Sequence, residues 1–549
     1  MLKRSTVFFL ISILVAATGC DSASTCTTDC GTMVVNLNSE PDAILPVFAQ
    51  SSTGRTLSAL LFLSLAEIGL DLGVVADEGF EPRLARSWSF VDSLTIQFDL
   101  DSRARWHDGA PVTAKDVEFT FDLYRDTLVN SSFREDIAQI ESVTALNDST
   151  VTFRFKEAYV EQFYDAVYHM KIHPAHLLDT VPRLEMASHA LALNPIGAGP
   201  YKFVNWEPGA AIEFEANDDF FLGKPGIHRV VVQVVADPNT LMTRLRAGET
   251  DFTDFVPGRD NVELLADTEH LSVRAIPSAA YLFLGFNFRS ATTNAEPHPF
   301  LTDPRIRRAI TLAIDRQSMV EATMGAMGAV PYGPVSRTNM WWNAPVQAIP
   351  YDIDESKELL DEAGWIDSDG DGIREKDGMP LEFEILSTTS GLRHQMSVIM
   401  ESQLREAGVA IRIQELEMGA WQDRAQNGRF DAVFGGWLQS PKALGAISGA
   451  WGTGGPQNWQ NYSNAEFDAL LDAIADERDP GKNRELWIEA LTTITNDAPA
   501  VWLIAPAQAV AIHSRFENVS IRPDSWAATL WQWGIDPKAT LPRDMITTN

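Results

Sequence analysis

The sequence predicts an α/β fold that is divided among several domains. Short runs in which apolar and polar residues alternate, as they do in β-strands, are followed repeatedly by segments with helical periodicity. The chain has 549 residues, and a prior of roughly 150 residues per domain predicts three or four domains. All three cysteines lie in the first 30 residues, so the remainder must be stabilised by its apolar core and not by disulfides.

Several strands and helices can be placed from the residues at their ends. Thr113 and Asp303 are suited to cap helix N-termini, and Pro304 fits the first turn of the second of these helices. Gly364 and Gly408 follow the last apolar positions of two further helices, where a left-handed residue is common. The segments placed in this way are strands at 94–98, 151–155 and 409–413 and helices at 113–124, 303–313, 354–363, 393–407, 465–474 and 484–495.

The N-terminus predicts export and lipid attachment. Two basic residues precede an apolar run over residues 7–17, which is too short to span a bilayer as a finished helix and has the form of a signal peptide. The sequence ATGC at 17–20 resembles the bacterial lipobox, so Cys20 is the expected lipidation site. Asp21 resembles the signal that keeps a lipoprotein in the inner membrane. We therefore expect a protein of the periplasm or cell envelope that contacts the membrane through its lipid.

The small, polar segment after Cys20 carries the other two cysteines. Cys26 and Cys30 lie four positions apart, and outside the cytosol they are able to form a disulfide or to remain free thiols. A metal site would need further ligands close by, and none is evident.

The charge of the chain restricts its partners. The formal net charge is −32, which argues against binding to nucleic acid or to anionic lipid surfaces because both would be repelled. Apolar residues make up 45 % of the sequence, as expected of a globular protein, and no later apolar stretch is long enough to span a membrane.

The usual patterns of an enzyme or a metal centre are missing from the sequence. It contains no Gly-x-Ser-x-Gly elbow, no cysteine in its globular part and no zinc-type spacing among its ten histidines. Asp367, Asp369 and Asp371 resemble the start of a calcium loop, but Gly378 stands where the bidentate Glu is needed. We keep the three aspartates as calcium candidates beside the alternative of an Asp/Gly-rich turn, and we expect no cofactor.

Eight ordered motifs identify a family. Together they are similar to those of the family 5 extracellular solute-binding proteins, which include the dipeptide-, oligopeptide- and nickel-binding proteins of ABC importers. The resemblance covers residues 33–535. The motifs are NLNSEPDAILP (36–46), EPRLARSWSF (81–90), ARWHDGAPVTAKDVEFTFD (104–122), IHPAHLL (172–178), NPIGAGPYKFVNWEPG (194–209), PFLTDPRIRRAITLAIDR (299–316), LREAGVAIRI (404–413) and FDAVFGGW (430–437).

This resemblance implies a fold and a domain division. The implied fold is the two-lobed one of periplasmic binding proteins, with a hinge between the lobes and an extra domain on the first lobe, as in the large proteins of cluster C. The implied segments are a signal peptide (1–19), a lipidated tether (20–32), a discontinuous domain I (33–50, 190–275 and 500–540), domain II (51–189) and domain III (276–499).

The resemblance also implies a function without catalysis. A small solute, most often a peptide, would bind between the lobes of a monomer, which then delivers it to an ABC permease. A non-peptide solute such as an oligosaccharide or a nickel chelate is the first alternative. A secreted hydrolase and a sensor or chaperone-like module are the others.

The candidate ligand-binding residues centre on Trp437, because the family's ligand-facing segment follows a Gly-Trp pair. Peptide-binding members carry an acidic residue shortly after this Trp, which pairs with the α-ammonium of the peptide. Here the sequence reads WLQSPK (437–442) without a carboxylate, so Gln439 and Ser440 are candidates to hydrogen-bond a neutral solute. Arg393 lies near the family's position for a residue that holds a ligand carboxylate. The remaining candidates are aromatic residues suited to a pocket wall: Tyr281, Trp342 and Trp421.

Overall fold

The computed structural model describes residues 31–544. The predicted signal peptide, Cys20 and Asp21 lie outside this range, as do Cys26 and Cys30. Among the described residues no helix is long and apolar enough to cross a membrane.

The strands, in chain order, are β1 (Thr32–Leu37), β2 (Ala66–Glu67), β3 (Glu81–Pro82), β4 (Ala85–Asp92), β5 (Thr95–Leu100), β6 (Ile140–Asn147), β7 (Thr150–Phe155), β8 (Tyr201–Glu207), β9 (Ala211–Ala216), β10 (Arg229–Val234), β11 (Phe252–Thr253), β12 (Leu271–Pro277), β13 (Ala280–Phe286), β14 (Gly328–Ala329), β15 (Glu375–Lys376), β16 (Met379–Pro380), β17 (Glu382–Thr388), β18 (Ala410–Leu416), β19 (Ala432–Leu438), β20 (Ala500–His513), β21 (Phe516–Glu517) and β22 (Gly534–Ile535).

The α-helices are α1 (Ser52–Leu61), α2 (Ala114–Arg125), α3 (Gln162–Val167), α4 (Ala175–Leu178), α5 (Ala190–Leu193), α6 (Pro238–Arg246), α7 (Arg259–Ala266), α8 (Pro304–Leu312), α9 (Arg316–Thr323), α10 (Ile353–Glu362), α11 (Gly391–Glu406), α12 (Met418–Gln426), α13 (Ala443–Trp451), α14 (Ala465–Asp476) and α15 (Pro480–Asp497).

Each of the nine segments placed from local sequence signals overlaps a strand or helix of the structure. Thr113 forms a capping box at the start of α2, and the Asp303 side chain accepts the N–H of Arg305 at the start of α8. Gly364 and Gly408 have positive φ angles after α10 and α11, as predicted. The predicted start of α15 was wrong by four residues, because Asp479 and Pro480 form an N-cap and first turn that the prediction overlooked.

One mixed sheet runs through most of the molecule, in the order β18-β17-β19-β13-β20-β11-β1-β10-β9-β8. The long strand β20 connects its two halves: residues 500–504 pair with β13, and residues 507–513 pair with β12. We call the half with β1 and β8–β12 the first lobe and the half with β13 and β17–β19 the second lobe. The chain crosses between them at 277–280 and at 505–507, and the Ser278 N–H donates to the Pro506 carbonyl at 3.1 Å. These two crossings form the hinge.

A separate four-stranded sheet, β4-β5-β7-β6, extends the first lobe. Phe98 and Phe153 on this sheet belong to the same buried core as Val35 of β1 and Phe214 of β9. The small sheet therefore has no core of its own and is held to the first lobe by continuous apolar packing. The second lobe has two apolar cores, one around Leu284 and Ile385 and one around Phe283, Trp451 and Trp502.

The Trp106-His107 segment joins the small sheet to the rest of the first lobe. His107 Nδ1 accepts the N–H of Gly197 at 3.2 Å, and Nε2 lies 3.1 Å from the Gly199 carbonyl. The His107 N–H donates in turn to the Gly197 carbonyl at 2.8 Å. These bonds give this part of the motif a structural role.

A fully buried histidine makes the protein sensitive to acid. Burial lowers the pKa of His173 to about 3, and a hydrogen bond to the Lys171 carbonyl offsets this only in part. In the unfolded chain, the His173 side chain binds a proton near pH 6.5, which the buried side chain does not. The contribution of neutral His173 to stability is therefore complete above that pH and is lost as the pH falls towards 3. We expect His173 to account for about 2 kcal/mol of the decrease in unfolding free energy between pH 7 and pH 5.

The variant His173→Phe tests this value, because Phe fits the stacked position beside Phe62. Urea unfolding at pH 7 and pH 5 should show that the variant loses about 2 kcal/mol less than the wild type over this interval. Gln395→Ala, at an exposed position of α11 that does not titrate, should leave the wild-type difference unchanged. An equal loss in His173→Phe and wild type would contradict the assignment.

Candidate ligand-binding cleft

Trp437 lies at the end of β19, beside the hinge. Its ring stacks on Phe283 at a centroid distance of 6.5 Å and meets the edge of Trp459 at 5.0 Å. Trp459 also contacts Trp421, at 6.0 Å. The indole nitrogens of Trp421 and Trp437 are buried and have no hydrogen-bond partner among residues 31–544. This aromatic cluster forms an apolar wall with unused donors on the second lobe.

Arg393 belongs to the same wall. Its guanidinium lies 5.6 Å from the Trp421 ring and 5.3 Å from the Phe434 ring, and it donates to the Phe434 carbonyl at 2.9 Å. Burial lowers the pKa of Arg393, and in the described part of the chain no carboxylate forms an ion pair with it. A partly buried guanidinium of this kind is suited to an anionic group of a ligand.

Two of the predicted aromatic residues, Tyr281 and Trp342, pack in the apolar core that carries this wall. Tyr281 pairs with Trp437 across β13 and β19, but it is 1 % exposed and its hydroxyl accepts the Trp451 indole N–H at 2.9 Å. Trp342 lies in a short 3-10 helix (Met340–Asn343) and packs, partly buried, against the same core. Tyr281 supports the position of the wall through its pairing with Trp437, and contact of either residue with a ligand stays a prediction.

The two polar candidates after Trp437 differ in their availability. Gln439 is buried, and its amide donates to the Pro334 carbonyl and accepts the Ser336 N–H, both at 2.7 Å. A ligand would have to replace one of these bonds to reach it. Ser440 is exposed and donates only to the Lys442 carbonyl at 3.0 Å.

The same segment contacts the first lobe through Lys442, a link that the sequence analysis missed. Its ammonium lies 2.9 Å from Asp165 on α3 and 4.8 Å from the centre of the Tyr159 ring. Arg484 on α15 forms a second ion pair with Glu78 of the first lobe. The two lobes are therefore in direct contact beyond the hinge.

Two adjoining cavities open on the first lobe, with volumes of about 300 and 410 Å³. The smaller cavity is lined by Ile276 and Gln508, which flank the hinge crossings, and by Asn38, which follows β1. Both cavities are lined by Ser52 and Thr56 of α1. Ile276 and Gln508 of the smaller cavity and Trp437 of the aromatic wall flank the same hinge from opposite lobes.

A buried ionic cluster adjoins the two cavities, and its members Arg522 and Asp524 line both. Arg522 donates to Glu67 at 2.7 Å and to Asp524 at 2.5 Å, and Lys171 donates to Glu67 at 3.1 Å. Burial would raise the pKa of Glu67, but the cations Lys171 and Arg522 hold it far below its usual range. No local sequence pattern indicated this cluster, because its members come from distant parts of the chain.

The carboxylates that lie together in the structure are not the three that the sequence predicted as calcium ligands. Carboxylate oxygens of Asp367, Asp369 and Glu375 lie within 4.8 Å of one another, whereas Asp371 accepts the N–H of Ile373. Three mostly exposed carboxylates fall short of the roughly six to eight oxygen ligands that calcium takes. Calcium binding stays a prediction.

Two lobes on one continuous sheet, with a hinge, an aromatic wall on one side and cavities on the other, define a two-lobed solute-binding protein. The family described as "Bacterial extracellular solute-binding proteins, family 5 Middle" matches residues 79–497. The chain belongs to this family, as its motifs predicted.

Individual relatives agree with this assignment. The oligopeptide-binding protein AppA of Bacillus subtilis is 28 % identical over 518 residues, which cover 92 % of this chain and 91 % of AppA. The structure of that protein with a nonapeptide covers 93 % of this chain and 100 % of its own, with a TM-score of 0.65 and 25 % identity.

Solved structures with lower identity show the fold. The ABC transporter substrate-binding protein CtaP of Listeria monocytogenes has a TM-score of 0.77 at 22 % identity and covers 92 % of this chain and 100 % of its own. The unliganded open form of the murein tripeptide-binding protein MppA has a TM-score of 0.76 at 18 % identity and covers 92 % of this chain and 97 % of its own. The predicted two-lobed fold is confirmed.

Proposed function

We propose that this protein captures peptides in the interlobe cleft and delivers them to the permease of an ABC importer. The observation that carries the proposal is the pair of walls beside the hinge, with Trp421, Trp437 and Arg393 on the second lobe and two cavities on the first. A peptide offers apolar side chains to the aromatic wall, carbonyl groups to the unpaired indole donors and a carboxylate to Arg393. The similarity to oligopeptide-binding AppA supports the same class of ligand.

Binding would act through the relative positions of the lobes. A ligand that touches both walls favours the closed arrangement by the difference between its affinities for the closed and open forms. The contacts of Lys442 with Asp165 and of Arg484 with Glu78 lie outside the two walls, and they restrain the same motion. No bond of the ligand is made or broken in this role, so the proposed function is binding without catalysis.

The attachment and the domain division complete the proposal. Lipidation of Cys20 would hold the monomeric protein at the cell envelope, next to the permease. The grouping of strands on either side of the hinge supports the division between domain I (33–50, 190–275 and 500–540) and domain III (276–499), and the separate sheet β4-β5-β7-β6 supports domain II (51–189).

Thermal unfolding of the purified protein with separate ligand classes tests the proposal. The classes are di- to pentapeptides, nickel–histidine and oligosaccharides. A ligand that binds only the folded protein adds about 2.7 kcal/mol of stability at one hundred times its Kd, so we expect peptides to raise the melting temperature by several degrees and the other classes to leave it unchanged.

The variant Trp437→Ala links that shift to the cleft. It removes the ring that contacts Phe283 and Trp459, so the peptide-induced shift should be smaller than in the wild type. Trp88→Ala, on the outer small sheet, is the control and should keep the full shift relative to its own unliganded form. A shift with nickel–histidine or oligosaccharide alone would overturn the peptide class and leave the solute-binding role in place.

A further inference from the structure

The smaller first-lobe cavity contains a carboxylate without a counter-charge. Asp254 follows β11 and lines this cavity, where the other charged side chains are Arg522 and Asp524. Asp254 takes part in no ion pair within residues 31–544, and its side chain is partly buried against the cavity wall. A carboxylate that is partly withdrawn from water and has no cation nearby is costly, and a cationic ligand in the cavity would offset this cost.

Arg522 forms no ion pair with Asp254 among residues 31–544, and four of its five N–H donors bond to other groups. Its Nε and one terminal nitrogen donate to Asp524, at 2.5 and 3.1 Å. Its other terminal nitrogen donates to Glu67 at 2.7 Å and to the Ile68 carbonyl at 3.1 Å. The charge of Asp524 is thus matched within the ionic cluster, and the excess negative charge of the cavity rests on Asp254.

The protonation of Asp254 reflects this isolation. Burial raises the pKa of Asp254 to about 6, and its own backbone and the Trp526 indole beside it lower the value only in part. A cation placed in the cavity would stabilise the charged form and lower this pKa. Asp254 therefore gains a partner, and the ligand gains a charge-assisted hydrogen bond, when an ammonium enters.

We infer that Asp254 binds the ammonium group of the ligand and replaces, from the first lobe, the carboxylate that is missing after Trp437. This inference rests on the proposed function and names Asp254 as the residue that selects its ligands. Each ligand must carry a free amine. A peptide N-terminus and a polyamine share this chemistry. On the second lobe Arg393 receives the opposite end of a peptide, so the two ends of a zwitterion meet opposite charges on opposite walls.

The experiment is a titration of intrinsic tryptophan fluorescence in wild type, Asp254→Asn and Asp267→Asn. Asp267 is an exposed carboxylate after α7 and serves as the matched control. The probes are a pool of tetrapeptides with free N-termini, the same pool after N-acetylation, and spermidine, each at pH 7 and pH 5. Circular dichroism and the melting temperature establish that both variants are folded.

We expect the wild type to bind the free peptides, with an affinity that falls several-fold at pH 5 because Asp254 becomes protonated while the peptide amine stays charged. Asp254→Asn should lose about tenfold or more in affinity and should lose the difference between the two pH values. Asp267→Asn should match the wild type. The N-acetylated pool should bind weakly and equally to all three proteins.

Three other outcomes would contradict the role of Asp254, the peptide proposal or both. Unchanged affinity and pH dependence in Asp254→Asn, or tight binding of the acetylated pool, would overturn the role of Asp254 and leave peptide binding in place. Binding of spermidine but no peptide would overturn the peptide class and keep the ammonium site if Asp254→Asn weakens it. No binding of any probe by the wild type would overturn both the peptide proposal and this inference.

Discussion

Replacement of Arg515 by Met is expected to lower the free energy of unfolding by about 3–5 kcal/mol, the range found when a buried ion pair loses one partner. The Arg515 side chain is 0 % exposed and pairs with Asp251 at 3.1 Å and Asp544 at 2.6 Å. It also donates to the Thr32 carbonyl at 2.6 Å. The variant would leave Asp544 with only backbone donors, from Thr32 and Leu541.

This network joins the two ends of the described chain. Thr32 opens β1, whose Val34 N–H donates to Asp251 at 2.8 Å, and Asp544 is the last described residue. Burial would raise the pKa of Asp544, but the hydrogen bonds from Arg515 and the backbone lower it. Loss of Arg515 therefore weakens the anchoring of β1, which lies in the middle of the first-lobe sheet.

Urea unfolding and amide hydrogen exchange measure this effect together. The exchange of the β1 amides should accelerate more than that of β17 in the second lobe. Arg259→Met is the control, because its pair with Glu263 is 53 % and 61 % exposed and such pairs contribute roughly 0.3–0.5 kcal/mol. If Arg515→Met costs no more than Arg259→Met, the buried network does not stabilise the protein.

The sequence predicted those parts of the fold that depend on neighbouring residues. Caps such as Thr113 and Asp303 satisfy N–H groups two or three positions away, so their effect can be recognised locally. The continuity of β20 across both lobes was not predictable in this way. Strand pairs such as Val273–Ala511 join residues far apart in sequence, and the alternation of apolar residues does not specify which strands pair.

The candidate site likewise contains residues that the sequence predicted and residues that it did not. Trp437 and Arg393 were found from the family resemblance and Trp421 from the suitability of aromatic side chains for a pocket wall, and the structure brings them into one wall. Asp254 and Arg522 carried no signal, since a single Asp or Arg in a loop is usually a solvated surface residue. Their burial and their pairing appear only after the chain has folded.

The substitution Gly197→Ala is expected to cost about 3 kcal/mol or more, because it places a methyl group against backbone that is unable to move freely. A Cβ at this position would lie 1.9 Å from the carbonyl oxygen of Leu61 and 2.6 Å from its carbonyl carbon. That carbonyl accepts the Gly199 N–H at 2.7 Å. To make room, the end of α1 must separate from the segment 197–199, which breaks this bond and disturbs the bonds to His107.

The effect should reach the cleft as well as the stability. Ser52 and Thr56 of α1 line both first-lobe cavities, so a shifted α1 changes their shape and should reduce the peptide-induced rise in melting temperature. Gly445→Ala is the matched control. Its Cβ would meet nothing within 4 Å on the exposed face of α13, and alanine stabilises a helix by roughly 0.5–1 kcal/mol relative to glycine. Equal urea midpoints for the two variants would show that the contact between 197–199 and α1 is not the constraint inferred here, because only Gly197→Ala meets backbone atoms.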